Sequence, residues 1–140
     1  MTDMPDRMAK AVNGLLNRYL VRGADGAERP LPYNPVDYQT LRYVSSRPGV
    51  WASDIARHIG VPATTMQSAL DRLVRKGLLS KRPSETDRRA RCYTLTENGR
   101  KIHTAIEAQD RINMTDMLSE LSERDQAELV RILVALSGPD

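Results

Sequence analysis

Thr64, Thr65, Gln67 and Ser68 put four short hydrogen-bonding side chains within five residues, with Ala63 before them and Arg72 and Arg75 behind. This chemistry is recognition rather than bond breaking. Glutamine pairs bidentately with adenine, and threonine or serine reaches several base edges or a thymine methyl. The two arginines suit phosphate or guanine. Small residues at the start matter because bulky ones would hold a helix backbone away from a groove. Any exposed helix is polar, but this stretch also has few acids. A second basic group follows: Lys81, Arg82, Arg88, Arg89 and Arg91 surround a polar loop at 83–89. Arginines at a hairpin tip suit a narrow minor groove, whose negative potential attracts them. Asp87 sits among them, and its expected role is to pair with a neighbouring arginine and hold the loop's shape.

Catalytic constellations are missing from the chain. His58 and His103 are far apart, and with the single Cys92 they give no spacing typical of a zinc site. Gly60, Gly77 and Gly99 read as helix stops or starts, not as a phosphate loop. Glu85 and Asp87 lie on a polar loop where desolvation is too weak for acid–base work. No enzyme activity, metal or cofactor is therefore expected. Charge is uneven along the 140 residues. Between positions 47 and 101 there are 12 Lys/Arg against 5 Asp/Glu, a net +7, so a chain of net +3 carries −4 elsewhere. A basic middle between acidic ends points to a polyanion partner for the middle alone. No apolar run approaches membrane-spanning length, and the N-terminus lacks the apolar core of a signal peptide. One cysteine permits no internal disulfide. A cytoplasmic protein without membrane contact is expected.

The elements that must position these residues follow from apolar spacing. Met8, Ala11, Val12, Leu15, Leu16 and Tyr19 predict an amphipathic helix over 6–21, and the glycines and prolines of 23–35 predict a loop. Asn34-Pro35-Val36-Asp37 reads as a capped helix start. A short helix is predicted over 52–58, with Gly60 ending it. Met66, Ala69, Leu70, Leu73 and Val74 form the inward face of the next helix, which Pro62 can open. Two strands, 78–82 and 90–96, make a hairpin with Tyr93 and Leu95 inward. Thr96 caps a long helix over 97–118, and Ser122 caps a last helix that is apolar nearly all round. Such a helix needs partners on several sides. The fold class is mainly α with a small β-hairpin wing: a winged helix-turn-helix core flanked by N- and C-terminal dimerisation helices.

Several segments carry a family resemblance: Ser53-Asp54-Ile55-Ala56, the run Leu70-Asp71-Arg72-Leu73-Val74-Arg75-Lys76-Gly77-Leu78, and Asp87-Arg88-Arg89-Ala90 followed by Leu95-Thr96-Glu97-Asn98-Gly99. The chain resembles the MarR (multiple antibiotic resistance regulator) family of bacterial transcription factors. The last segment matches the family's wing signature, Asp-x-Arg, a strand, then Leu-Thr-x-x-Gly. The resemblance implies one MarR-like domain over 1–140, with dimerisation helices at 6–22 and 97–138 and a DNA-binding lobe at 35–96. It implies a homodimer on double-stranded DNA, with Asp87 bracing the wing and Arg89 entering the minor groove. It also implies a small aromatic or phenolic effector, for which Tyr38, Tyr43 and Trp51 are the candidates and plain packing the alternative. Trp51 stands where the family often has a capping Thr or Ser, so Ser53 is the expected cap. Arg91 replaces a usual apolar strand residue. Some relatives sense oxidants through a cysteine in the first helix; Cys92 lies elsewhere, and a structural thiol is the alternative to a sensor.

The function expected is a sequence-specific regulator, a homodimeric repressor reading an imperfect palindrome. A winged helix that docks an acidic protein partner is the alternative.

Overall fold

Asn34 opens helix α2 (Pro35–Ser46) as the spacing predicts: its side-chain oxygen accepts from the amides of Val36 and Asp37, and Pro35 fills the first turn. The computed structural model describes residues 3–21, 29–87 and 89–138, and divides into two compact units. One unit comprises Arg29–Glu107, the other Met1–Glu28 with Ala108–Asp140.

In the Arg29–Glu107 unit, α2 is followed by β1 (Val50–Trp51), α3 (Ala52–Ile59), α4 (Ala63–Arg75), β2 (Leu79–Pro83), β3 (Arg91–Leu95) and the first part of α5 (Glu97–Ser119). The strands form an antiparallel sheet in the order β1-β3-β2. Its register pairs Val50 with Tyr93, and Leu79 with Leu95 through to Pro83 with Arg91. The hairpin matches the alternation of its residues. The two-residue β1 is an addition that is too short for any periodicity to reveal. Leu41, Val44, Ile55, Met66, Leu70, Leu73, Tyr93 and Ile106 form the buried core, with Ile102 packed against it. Early α5 residues thus belong to the lobe's core.

No side chain caps α3: Trp51 takes the cap position without a hydrogen bond, and Ser53 does not replace it. That start is held by the strand pairing of β1 instead. Thr96 does cap α5, accepting from the Gly99 amide at 2.9 Å while donating to the Gly77 carbonyl at 2.6 Å.

In the other unit, α1 (Met4–Leu15) continues as a π-helical segment, Leu16–Val21, where a uniform helix was expected. Tyr19 is buried there, and its carbonyl accepts from the Asn113 side chain at 2.6 Å. A widened turn leaves a carbonyl open to such a donor. Ser122 caps α6 (Glu123–Ser137) through the Asp125 amide. Gln126 donates to the carbonyls of Leu118 and Leu121, tying the start of α6 to the end of α5. None of α6 is buried, and Val130, Leu133, Val134 and Leu136 are all exposed.

Candidate nucleic-acid interface

Helix α4 is fixed from beneath by its apolar face. Met66, Ala69, Leu70 and Leu73 are buried, and the Thr40 hydroxyl lies 3.8 Å from the Met66 sulfur. The turn before it depends on Gly60, which adopts φ 82° and ψ 34°. That left-handed conformation costs other L-residues energy, and it lets the amides of Gly60 and Val61 both reach the Ala56 carbonyl. Pro62 occupies the cap position of α4, and no side chain caps the helix. First-turn amides without a capping acceptor suit an anionic oxygen such as a backbone phosphate.

The opposite face of α4 stands in solvent. Ala63, Thr64, Thr65, Gln67, Ser68 and Arg75 are all exposed and share this helix. Gln67 donates to Asp71 at 2.9 Å, which steadies its amide. Arg72 behaves differently from its expected phosphate or guanine contact. Its Nε and Nη2 donate to the two oxygens of Asp37 at 3.1 and 2.6 Å. The Asp37 side chain is only 3% exposed and that of Arg72 35%. The hydrogen bond to Asp37 raises the Arg72 pKa further above its already high ordinary value. Arg72 therefore clamps α4 to α2. Asp37 reads in the sequence only as a favourable first-turn acid, because burial leaves no local mark.

The wing tip is folded by its own hydrogen bonds. Ser84, buried, bonds its amide to the Ala90 carbonyl, and its hydroxyl lies 3.0 Å from that of Thr86. Asp87 accepts from the Arg89 amide at 3.0 Å, and its carbonyl accepts from the Ala90 amide. Asp87 thus shapes the loop through backbone hydrogen bonds with Arg89 and Ala90. Arg89 is exposed; Arg88 lies outside the described residues. Arg91 is exposed and bonds the Ala90 carbonyl at 3.5 Å. Lys81 and Arg82, adjacent and both exposed, pair with Tyr93 and Cys92 and so stand on opposite faces of the sheet. Cys92 is partly buried, with its sulfur 3.5 Å from the Arg82 carbonyl.

The three aromatic candidates each have their own neighbours. Tyr38 is buried, donates to the Leu31 carbonyl at 2.5 Å, accepts from Arg29 at 2.9 Å, and meets Tyr33 edge-on at 5.4 Å. Tyr43 stacks on His58 at 4.4 Å, with the Arg47 guanidinium 4.6 Å from its ring centre. Trp51 is partly buried on β1, paired with Cys92.

A profile of the MarR family matches residues 31–90. The HTH-type transcriptional repressor Rv2887 of Mycobacterium tuberculosis is 30% identical over 109 residues, 78% of each chain. The crystal structure of that MarR family protein superposes with a TM-score of 0.68 at 28% identity, over 96% of this chain and 95% of the other. Streptococcus pneumoniae FabT, solved in complex with DNA, has the same fold at a TM-score of 0.77 and 24% identity, covering 95% and 94% of the two chains. PcaV from Streptomyces coelicolor, solved with its natural ligand, reaches 0.68 at 20% identity over 96% and 89%. A capped α2, a glycine turn, an outward polar α4 and an arginine-tipped hairpin, together with these likenesses, place the chain in the MarR family of winged-helix transcription regulators.

Proposed function

We propose that this protein is a homodimeric, sequence-specific repressor that reads an imperfect palindrome in double-stranded DNA. The observation that carries the reading is the exposed first half of α4, rich in small polar residues and low in acids, beside a hairpin tipped with arginine in one compact unit. Thr64, Thr65, Gln67 and Ser68 read base edges, with Ala63 allowing close approach. Arg75, Lys81, Arg82 and Arg91 supply the electrostatic footprint, and Arg89, with Arg88 beside it in sequence, enters the minor groove. FabT, alike in fold, was solved with DNA, which supports the same use here. Two copies would place their α4 helices in successive major grooves, about 34 Å apart.

The dimer is supported by unit Met1–Glu28 with Ala108–Asp140. Its α1 exposes Met4, Met8, Val12 and Leu15, and its α6 exposes Val130, Leu133, Val134 and Leu136. Such a run of exposed apolar side chains is costly in water and marks an association surface. Release by a small aromatic effector near Tyr38, Tyr43 or Trp51 would act by shifting the population of DNA-competent dimers. PcaV, alike in fold, was solved with its ligand.

Selection of bound duplexes from a random pool tests the reading. The expected product is a two-fold symmetric consensus whose affinity falls steeply with salt. Recovery of no consensus, with weak and salt-insensitive duplex binding, would leave the protein-docking winged helix as the function.

A further inference from the structure

We propose that Asp71 sets which base Gln67 can read and restricts it to adenine, an inference that rests on the reading of α4 as the base-contacting helix. Gln67 and Asp71 stand one turn apart on α4, and both are exposed, whereas Met66, Ala69, Leu70 and Leu73 are buried. The Gln67 Nε2 donates to Asp71 Oδ1 at 2.9 Å. An ionised carboxylate only accepts, so chemistry assigns the nitrogen end of the amide to this contact. Asp71 is the one acid in α4, on a face that meets a polyanion. An acid there costs affinity for DNA. Among the described residues no ion pair accounts for it, since the neighbouring Arg72 is bound to Asp37. The bond to Gln67 does account for it.

A primary amide carries two N–H donors and one carbonyl acceptor. Asp71 takes one donor, which leaves Gln67 one donor and the carbonyl oxygen for a base. Adenine alone presents the complement in the major groove, with N7 accepting and the N6 amino group donating. Guanine presents two acceptors, O6 and N7, and meets one donor too few. Cytosine offers only its N4 donor and thymine only its O4 acceptor, so each satisfies half of what Gln67 has left. Without Asp71 the amide is free to turn and give both N–H groups to guanine. Asp71 is thus a positioning residue: it touches no base and acts through the amide it holds.

The test uses the full chain and the duplexes selected from a random pool. The position read by Gln67 is the one whose preference Gln67→Ala erases. There the wild type should favour adenine over guanine by about tenfold or more. Asp71→Ala should bring the two bases within about threefold of each other by gaining guanine. Removing an acid tightens every duplex, so the ratio is read and not the affinity. In the Gln67→Ala background, Asp71→Ala should leave the ratio unchanged. Alanine is a strong helix former, and an unchanged thermal midpoint would show that the variant is folded. Without DNA, Asp71→Ala should move the NMR signals of the Gln67 side-chain amide. The proposal is overturned by unmoved amide signals, by a Gln67-dependent position that prefers another base or does not exist, or by an adenine-to-guanine ratio that ignores Asp71. A ratio change that persists without Gln67 would also overturn it, since Asp71 would then act on the base directly. A pool that yields no consensus overturns the DNA reading and this proposal together, whereas a consensus indifferent to Asp71 overturns this proposal alone.

Discussion

Arg72 and Gln67 lie five residues apart on one helix and face opposite energetic consequences. Arg72 is bound to the buried carboxylate of Asp37, so Arg72→Met strands a charge that water cannot reach. Breaking a buried pair costs about 3–5 kcal/mol, and the partial exposure of Arg72 brings the expectation to about 2–3 kcal/mol. Urea denaturation should show it as a lowered midpoint with or without DNA. Gln67→Ala removes an exposed side chain and should leave that midpoint within about 0.5 kcal/mol. Its effect belongs to recognition: a loss of about 1–3 kcal/mol in discrimination at one base pair, measured against a set of operator variants. Arg89→Ala should weaken all duplexes and reduce the logarithmic salt slope by about 1, with preference lost at the operator flanks. If Arg72→Met lost specificity at unchanged stability, the clamp would be the wrong account of it.

Gly99 shows how an element is constrained by its neighbour. A Cβ at this position would lie 2.0 Å from the Leu78 carbonyl oxygen and 3.0 Å from its carbon. Both are backbone atoms, so no side chain can swing aside. The same Leu78 carbonyl accepts from the Thr96 amide, which closes the hairpin onto the start of α5. Gly99→Ala must therefore separate α5 from the strand entry, an overpacking cost of about 1–3 kcal/mol. Thermal unfolding should report the loss, and amide shifts should be concentrated in the hairpin and the first turn of α5. An alanine variant as stable as the parent would mean that this approach is looser than described.

The whole-molecule question is association. Leu133 and Leu136 are 53% and 66% exposed on α6, and Met4 is 70% exposed on α1. Fully burying one leucine is worth about 1.5–3 kcal/mol, and a charge in its place reverses the sign. Leu133→Glu should raise the dissociation constant of the proposed dimer by about 100-fold or more. Sedimentation equilibrium would measure that change. Because the proposed reading needs two half-sites held together, the variant should also lose operator binding at concentrations where it is monomeric, while the α4 and wing residues stay untouched.

Periodicity and capping made most elements legible in the chain. The Asn34-Pro35 start, the Gly60 stop, the inward face of α4, the hairpin alternation and the Thr96 and Ser122 caps all depend on residues within a few positions of one another. The candidate recognition face was legible for the same reason, since a helix displays its neighbours in sequence. What needed the tertiary structure joins distant positions. Asp37 meets Arg72 across 35 residues, β1 borrows its partner from β3, and the Leu78 carbonyl forbids a side chain at Gly99. Local patterns record which way a side chain faces; only packing decides what it faces.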